Sequence, residues 1–126
     1  MTKILVVDDD IHATTLFKTL LTAKGYEAII VNDSEAAVEV ADSTNPDLII
    51  LDLMMPEPNG YQVCRMLRTD PKFSNTPIVI FTAMGDNESK EAALNAGANE
   101  FLTKPFRVED LMHRIKELIE KAGQAQ

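Results

Sequence analysis

The stretch LIILD, residues 48–52, decides the fold. Four apolar residues in succession, Leu48 to Leu51, are typical of a central strand in a parallel sheet, because helices cover such a strand on both faces. Asp52 follows directly, so a carboxylate stands where this strand ends. Three other apolar runs also end in polar residues: ILVV before Asp8 and Asp9, IVIF before Thr82, and FLT before Lys104. In one parallel sheet these side chains would meet at the carboxyl edge, where open α/β sheets bind ligands.

Strand-like and helix-like segments alternate along the whole chain, which is the pattern of βα units around a parallel sheet. We predict an α/β fold of the (βα)5 type, doubly wound, with helices on both faces of a five-stranded parallel sheet. The predicted strands are residues 4–7, 26–31, 48–51, 78–81 and 100–103.

Apolar periodicity and capping residues predict the intervening helices. Leu16, Leu20 and Leu21 are predicted to form the buried face of the first helix, and Ser34 is predicted to cap the second. A third helix is expected after Asn59 and Gly60, a fourth over residues 87–95, and a fifth from Val108, where the helical period is clearest.

Length and composition limit the class of protein. The chain has 126 residues, of which 45% are apolar, so one domain is expected over residues 1–122, with 123–126 a polar tail or the start of a linker. A net charge of -8 argues against a nucleic-acid surface. The single cysteine excludes an internal disulfide, and no apolar stretch reaches the length of a membrane span. We therefore expect a cytoplasmic protein that contacts neither membrane nor nucleic acid.

The residues at the strand ends indicate phosphate chemistry. Three crowded carboxylates, those of Asp8, Asp9 and Asp52, repel one another unless a hard cation lies among them, and Mg²⁺ is the cation that suits such oxygen ligands. A carboxylate can also accept a phosphoryl group, and a lysine opposite would suit the incoming anion. Asp10 is better explained as the cap of the first helix.

The ordered motifs ILVVDDD, DLIILDLMMPEPNG, PIVIFTA, ALNAGANEFLTKPF and VEDLMHRIKELIEK resemble the receiver (REC) domain of two-component response regulators, the CheY-like superfamily with a flavodoxin-like fold. The resemblance covers nearly the whole chain and implies a signalling switch that catalyses its own phosphorylation and dephosphorylation, rather than a turnover enzyme. It implies Mg²⁺ as the cofactor, with Mn²⁺ as a substitute.

The resemblance also implies a role for each site residue. Asp52 is the phosphoacceptor, Asp9 and Asp52 bind the metal directly with the backbone carbonyl of Met54, and Asp8 acts mainly through water. A cis bond before Pro105 aims Lys104 at the phosphoryl group. Thr82 binds the phosphoryl oxygens, and as it moves, the aromatic switch residue Phe101 turns inward. From the sequence alone, Phe101 is explained equally well as a plain aromatic residue of the core.

The implied partners are a histidine kinase or histidine phosphotransfer protein as donor, and a downstream target or a fused effector as receiver of the signal. The output surface would be the fourth helix, fifth strand and fifth helix, and a phosphorylation-dependent homodimer could form there through Lys90, Asp110, Glu100 and Arg114. An ordinary solvated helix face explains these charges equally well. Whether the chain acts alone or precedes an effector stays open.

Two methionines depart from the common pattern of this family. Met54 and Met84 stand two residues after Asp52 and Thr82, where polar residues often flank the phosphoryl group. A thioether cannot orient an attacking water as an amide or a carboxylate can, so we predict a long-lived aspartyl phosphate.

Two other classes of protein share part of this pattern. The pair Asp8 and Asp10 resembles the start of a haloacid-dehalogenase-type phosphatase, but Ile11 and His12 follow where a small or hydroxyl residue is expected, and a late acid and a cap domain are missing. A flavodoxin-like FMN binder would need Ser, Thr and Gly donors where the first loop has acids.

Overall fold

The computed structural model describes residues 1–83 and 85–124. Its strands are β1 (Lys3–Val7), β2 (Glu27–Val31), β3 (Leu48–Asp52), β4 (Ile78–Thr82) and β5 (Glu100–Thr103). Its α-helices are α1 (Ile11–Ala23), α2 (Ala37–Thr44), α3 (Gly60–Arg68), α4 (Asn87–Asn95) and α5 (Val108–Gln124). Short 3₁₀ turns cover Ser34–Ala36 and Pro71–Phe73. Each predicted strand agrees with an observed strand to within one residue at either end.

All five strands are parallel and follow the order β2-β1-β3-β4-β5. The sheet has a core on each face. Helices α2, α3 and α4 pack on one face, with Ala41, Val63 and Ala93 among their buried residues. Helices α1 and α5 pack on the other, through Phe17 and Ile115 among others. Every residue of β3 is buried, which is the reason for its unbroken apolar run. The predicted doubly wound (βα)5 fold is confirmed.

The prediction for the buried face of α1 is wrong at Leu16, whose side chain is 53% exposed. The helix buries Thr14, Phe17 and Leu21 instead. These three residues are spaced by three and four positions, so they share one stripe, whereas Leu16 is about 100° away from Phe17 around the helix. The aromatic ring, absent from the predicted stripe, sets the orientation of the helix.

The predicted capping role of Ser34 is also wrong. Asp33 caps the 3₁₀ turn by accepting a hydrogen bond from the backbone N–H of Glu35. Ser34 is buried, and its hydroxyl donates to the carbonyl of Pro56 at 3.1 Å. Asp33 therefore caps the turn, and Ser34 instead connects this segment to the loop after β3.

Helix α5 continues through residues 123 and 124, which were predicted as part of a tail. Residues 125 and 126 lie outside the described residues. Among the helices of the described residues, none combines the length and the apolar character needed to cross a membrane.

Candidate functional site

The register of the sheet brings three carboxylates together. Val7 of β1 pairs with Leu51 of β3, so the residues that follow, Asp8 and Asp52, emerge side by side at the carboxyl edge. One carboxylate oxygen from each of Asp8, Asp9 and Asp52 lies within 4.8 Å of the others. Asp8 and Asp52 are 2% and 8% exposed, and Asp9 is open to solvent. Two of the acids are therefore held largely out of water, and the third faces it.

Lys104 reaches the same edge from the end of β5. Its backbone N–H donates to the Thr82 carbonyl at 2.8 Å, which extends the pairing of β4 and β5 by one residue. The ammonium lies 3.7 Å from Asp8 Oδ2 and 3.8 Å from Asp52 Oδ1. Both distances exceed those of a hydrogen bond, so the cation stands between the two acids without being bound tightly to either. The bond from Lys104 to Pro105 is cis.

Burial and mutual repulsion make the two inner acids hard to ionise. The pKa of Asp52 is raised to about 6, chiefly by burial and next by the charge of Asp8, while the charge of Lys104 offsets part of the rise. Burial likewise raises the pKa of Asp8, although a hydrogen bond from the Asp10 N–H opposes the rise. One ammonium does not compensate two buried carboxylates beside a third acid. The edge is therefore electrostatically prepared for more positive charge.

Asp8 shows where that charge would bind. Its Oδ1 accepts from the Asp10 N–H at 2.9 Å, whereas its Oδ2 is buried and, within the part of the chain that the structure describes, has no hydrogen-bond partner. Buried polar atoms are nearly always paired, and a missing ion is one reason for an exception. Three convergent carboxylates form a donor set for a hard divalent cation such as Mg²⁺, so the residues fit the expected metal. Met54, whose carbonyl is a further predicted ligand, follows on this loop with its side chain 59% exposed.

Asp10 does not join the cluster. Its carboxylate accepts from the backbone N–H groups of His12 and Ala13 and caps α1. This geometry agrees with the prediction that Asp10 caps the first helix.

Two further predicted residues, Thr82 and Phe101, lie in neighbouring strands and differ in burial. Thr82 ends β4 and is fully buried. Phe101, in β5, is partly buried against the core under α2, α3 and α4. Met84 lies outside the described residues, so its role remains a prediction.

Sequence reasoning missed the part that Gly60 plays. This residue begins α3 directly behind Asp52, and a Cβ atom there would lie 2.5 Å from the Asp52 carbonyl oxygen. Asn59 and Gln62 form a capping box that starts the helix at this point. Glycine therefore allows α3 to approach the backbone of β3 closely, whereas in the sequence the pair Asn59-Gly60 indicates only a turn.

Fold and site together define a class of protein: a doubly wound α/β domain with the strand order 2-1-3-4-5 and an acidic cluster beside a lysine at its carboxyl edge. Residues 4–116 match the family model of the response regulator receiver domain. The chain belongs to this family, and the resemblance stated from its motifs is confirmed.

Curated relatives include the response regulator ArlR of Staphylococcus saprophyticus, 38% identical over 124 residues, and the DNA-binding dual master transcriptional regulator RpaA of Synechocystis, 36% identical over 121 residues. The matches cover 98% and 96% of this chain but 55% and 50% of those proteins. This chain thus spans about half the length of the curated relatives it matches.

Solved structures agree with the family. The chemotaxis protein CheY4 of Vibrio cholerae superposes with a TM-score of 0.89 at 30% identity, covering 94% of this chain and 98% of that one. A CheY-like receiver domain protein of Methanospirillum hungatei has a TM-score of 0.93 at 24% identity, covering 100% and 99%, and supports the fold.

Proposed function

We propose that this chain is a phosphorylation switch in which Asp52 accepts a phosphoryl group from a phosphohistidine on a histidine kinase or a phosphotransfer protein. One observation carries the proposal: the Asp52 carboxylate, buried at the end of the central strand, has carboxylate oxygens of Asp8 and Asp9 within 4.8 Å and the Lys104 ammonium 3.8 Å away. Membership of the receiver family supports the same function.

In the proposed reaction an Asp52 oxygen attacks phosphorus, the bond from phosphorus to the donor imidazole nitrogen breaks, and that nitrogen keeps the electron pair and takes up a proton. The product is a mixed anhydride, an aspartyl phosphate. Phosphoryl transfer needs little covalent help from a protein, so positioning and charge compensation supply most of the catalysis. Lys104 contributes by pairing with a phosphoryl oxygen as charge shifts away from the carboxylate.

Asp8, Asp9, Asp52 and the Met54 carbonyl are the residues that would hold Mg²⁺, whose positive charge would offset both the carboxylates and the phosphoryl oxygens. The buried Asp8 Oδ2, which lacks a hydrogen-bond partner among the described residues, supports this assignment. Asp52 would also ionise more readily in that state, because a nearby positive charge lowers the pKa of a carboxyl group.

The change of state would pass from Thr82 to Phe101 and then to the surface formed by α4, β5 and α5. Phe101 is only partly buried, which leaves its ring room to move deeper into the core. On this surface Glu100 already pairs with Arg114 within the chain, while Lys90 and Asp110 are exposed. A phosphorylation-dependent homodimer would require Glu100 and Arg114 to exchange this partner for one on a second copy.

The length of the curated relatives indicates what kind of partner would receive the signal. Because the matched curated proteins are about twice as long and the comparison includes a DNA-binding regulator, we propose that an effector, fused or separate, reads this surface. DNA contact would then belong to the effector, since this chain carries a net charge of -8.

Phosphorylation with acetyl phosphate tests the proposal. The chain is incubated with acetyl phosphate and Mg²⁺, and intact mass is measured for wild type and for Asp52→Asn. We expect one phosphoryl adduct on wild type, none on Asp52→Asn, and none on wild type when EDTA removes the metal.

Two results would contradict the proposal. An adduct that persists in Asp52→Asn would place the acceptor elsewhere. Continuous release of phosphate from small phosphoesters, with no adduct on the protein, would indicate a phosphatase.

A further inference from the structure

An aromatic ring lies beneath the ammonium of Lys104. The Lys104 Nζ atom is 4.9 Å from the centroid of the Phe81 ring, within the range of a cation–π contact. Phe81 is the penultimate residue of β4 and is 1% exposed. The carboxylate contacts of the same ammonium, at 3.7 and 3.8 Å, are both longer than hydrogen bonds. The Phe81 ring is therefore a third group that attracts the Lys104 ammonium, besides the carboxylates of Asp8 and Asp52.

Two other rings hold Phe81 in place. Phe17 of α1 meets it edge to face at a centroid distance of 5.3 Å, and Phe106 does so at 4.7 Å. Phe17 and Phe106 are themselves stacked 6.2 Å apart. Three mutually packed rings restrict one another to few orientations, so the contact between Phe81 and Lys104 is built into the core on the α1 and α5 face.

We propose that Phe81 is a positioning residue for Lys104, holding the ammonium at the site when the carboxylates no longer can. This inference rests on the proposed function. Without a metal, Asp8 and Asp52 attract Lys104 directly. If those carboxylates held a divalent cation, their attraction for the ammonium would weaken, because the bound cation would offset their charge and repel Lys104. The attraction of the ring face does not depend on the carboxylates, so it keeps Lys104 within reach of an incoming phosphoryl group.

The opposing explanation is that Phe81 only fills the core. The substitution Phe81→Leu separates the two, since it keeps an apolar side chain and removes the aromatic face. Phe17→Leu is the matched control: it deletes a ring from the same aromatic cluster and leaves the Phe81 ring beneath Lys104, still packed edge to face against Phe106. Urea unfolding confirms that each variant is folded, and Phe81→Met replaces Phe81→Leu if the latter is not.

The first measurement is an NMR spectrum of the metal-free protein. The Cε protons of Lys104 above an aromatic face should be shifted upfield in wild type. We expect the shift to disappear in Phe81→Leu and to remain in Phe17→Leu. A wild-type Lys104 without this shift, or a shift that survives in Phe81→Leu, would overturn the contact itself, whatever the function of the chain.

The second measurement is a double-mutant cycle on the affinity for beryllofluoride, a phosphoryl mimic, with Mg²⁺ present. Phe81→Leu should weaken binding about two- to fivefold when Lys104 is present and have no effect in a Lys104→Met background. An equal loss in both backgrounds would mean that Phe81 acts through core packing and would overturn the proposal. If wild type itself does not bind beryllofluoride, the proposed function has failed. If wild type and Phe81→Leu bind it equally well, the proposed function stands and only the inference about Phe81 is refuted.

Discussion

Both edges of the sheet bury charged side chains, but they do so in different ways. At the carboxyl edge Lys104 lies between Asp8 and Asp52 at distances beyond hydrogen bonding, and one Asp8 oxygen has no hydrogen-bond partner in the described structure. At the amino edge the guanidinium of Arg68 lies half buried where α3 meets the starts of β4 and β5. It makes four hydrogen bonds, to the carbonyls of Gly97, Phe73 and Thr76 and to the side-chain oxygen of Asn99.

The amino edge is a completed network. Asn99 Oδ1 also accepts from the Ile78 N–H. Through this oxygen, Asn99 links the Arg68 guanidinium to the start of β4. Gly97 has a φ of +108°, and a Cβ there would lie 2.7 Å from Arg68 Cγ, so only glycine fits against the arginine. Every contact of Arg68 in this network is to a neutral acceptor, which fixes structure without demanding a ligand.

The carboxyl edge is incomplete by the same standard. Asp8 and Asp52 have raised pKa values because their burial and repulsion are not fully compensated, and the rest of the fold must offset this cost. A buried charge with all its hydrogen bonds satisfied stabilises the fold, whereas a buried charge that lacks partners prepares a site for a ligand. Removing charge should therefore have opposite effects at the two edges.

The largest effect is expected from Arg68→Met. The substitution leaves three carbonyls and an amide oxygen short of a donor, so we expect the free energy of unfolding to fall by about 3 kcal/mol. Urea denaturation measures the change. Arg65→Met, on the exposed side of the same helix, is the control and should change stability by about 0.5 kcal/mol or less. Equal losses for the two variants would show that the Arg68 network does not stabilise the fold.

The second largest effect is expected when Mg²⁺ binds at the carboxyl edge. A cation that binds only the folded protein stabilises it by about 2.7 kcal/mol at a concentration one hundred times its Kd, so Mg²⁺ should raise the Tm of wild type. The increase should be largely lost in Asp8→Asn. Asp10→Asn should keep it, because asparagine also caps helices and Asp10 lies outside the cluster. Thermal melts with EDTA and with Mg²⁺ give the result, and an increase that Asp8→Asn leaves intact would place the metal elsewhere.

Neutralising Asp52 should stabilise the metal-free protein, and the gain should depend on pH. The pKa of Asp52 is raised to about 6 in the folded state, so between its ordinary value and pH 6 the folded protein binds more protons than the unfolded one. Stability from this group is thus present at low pH and lost as pH rises through 6. Asp52→Asn should be more stable than wild type by about 1 kcal/mol at pH 7.5, because burial of the polar asparagine amide offsets part of the gain, and by less at pH 5.

Urea unfolding in EDTA at both pH values measures this difference. Asp42→Asn is the control, since Asp42 is an exposed acid whose carboxylate pairs with Lys72 far from the site. A gain for Asp52→Asn that is the same at pH 5 and pH 7.5 would mean that the burial of its charge does not destabilise the fold.

Local patterns were enough to predict most of the fold. The unbroken run Leu48 to Leu51 predicts a strand covered on both faces, and the polar residues that end such runs predict which side chains share an edge. Each inference uses only residues that are neighbours in sequence and the period of one element. The convergence of Asp8, Asp52 and Lys104 then follows from parallel topology alone.

Contacts between distant segments escaped this reasoning. Arg68 and Gly97 are 29 residues apart, and neither carries a local sign of the other. Phe81 reads as one more apolar strand residue until the structure places Lys104 above it. The same limitation explains the error at Leu16: competition between Leu16 and Phe17 for the core is decided by the rings that Phe17 meets in β4 and after β5.

The smallest effect is expected at the rim of the carboxyl edge, where Met54 is 59% exposed two residues beyond Asp52. If its thioether fails to orient water, Met54→Asn should supply one hydrogen bond to the attacking water and speed loss of the aspartyl phosphate about threefold. Decay is followed by intact mass after acetyl phosphate is removed. Met66→Asn, a 40% exposed methionine on α3, is the control and should decay like wild type.

This prediction distinguishes the rim from the interior of the same edge. Asp8 and Asp52 should govern whether the phosphoryl group is accepted, and Met54 only how long it stays, so Met54→Asn should form the adduct to the same extent as wild type. An unchanged decay rate would mean that water reaches the phosphoryl group by a path that Met54 does not line. A lower yield of adduct would instead make Met54 part of the accepting site and remove the distinction between interior and rim.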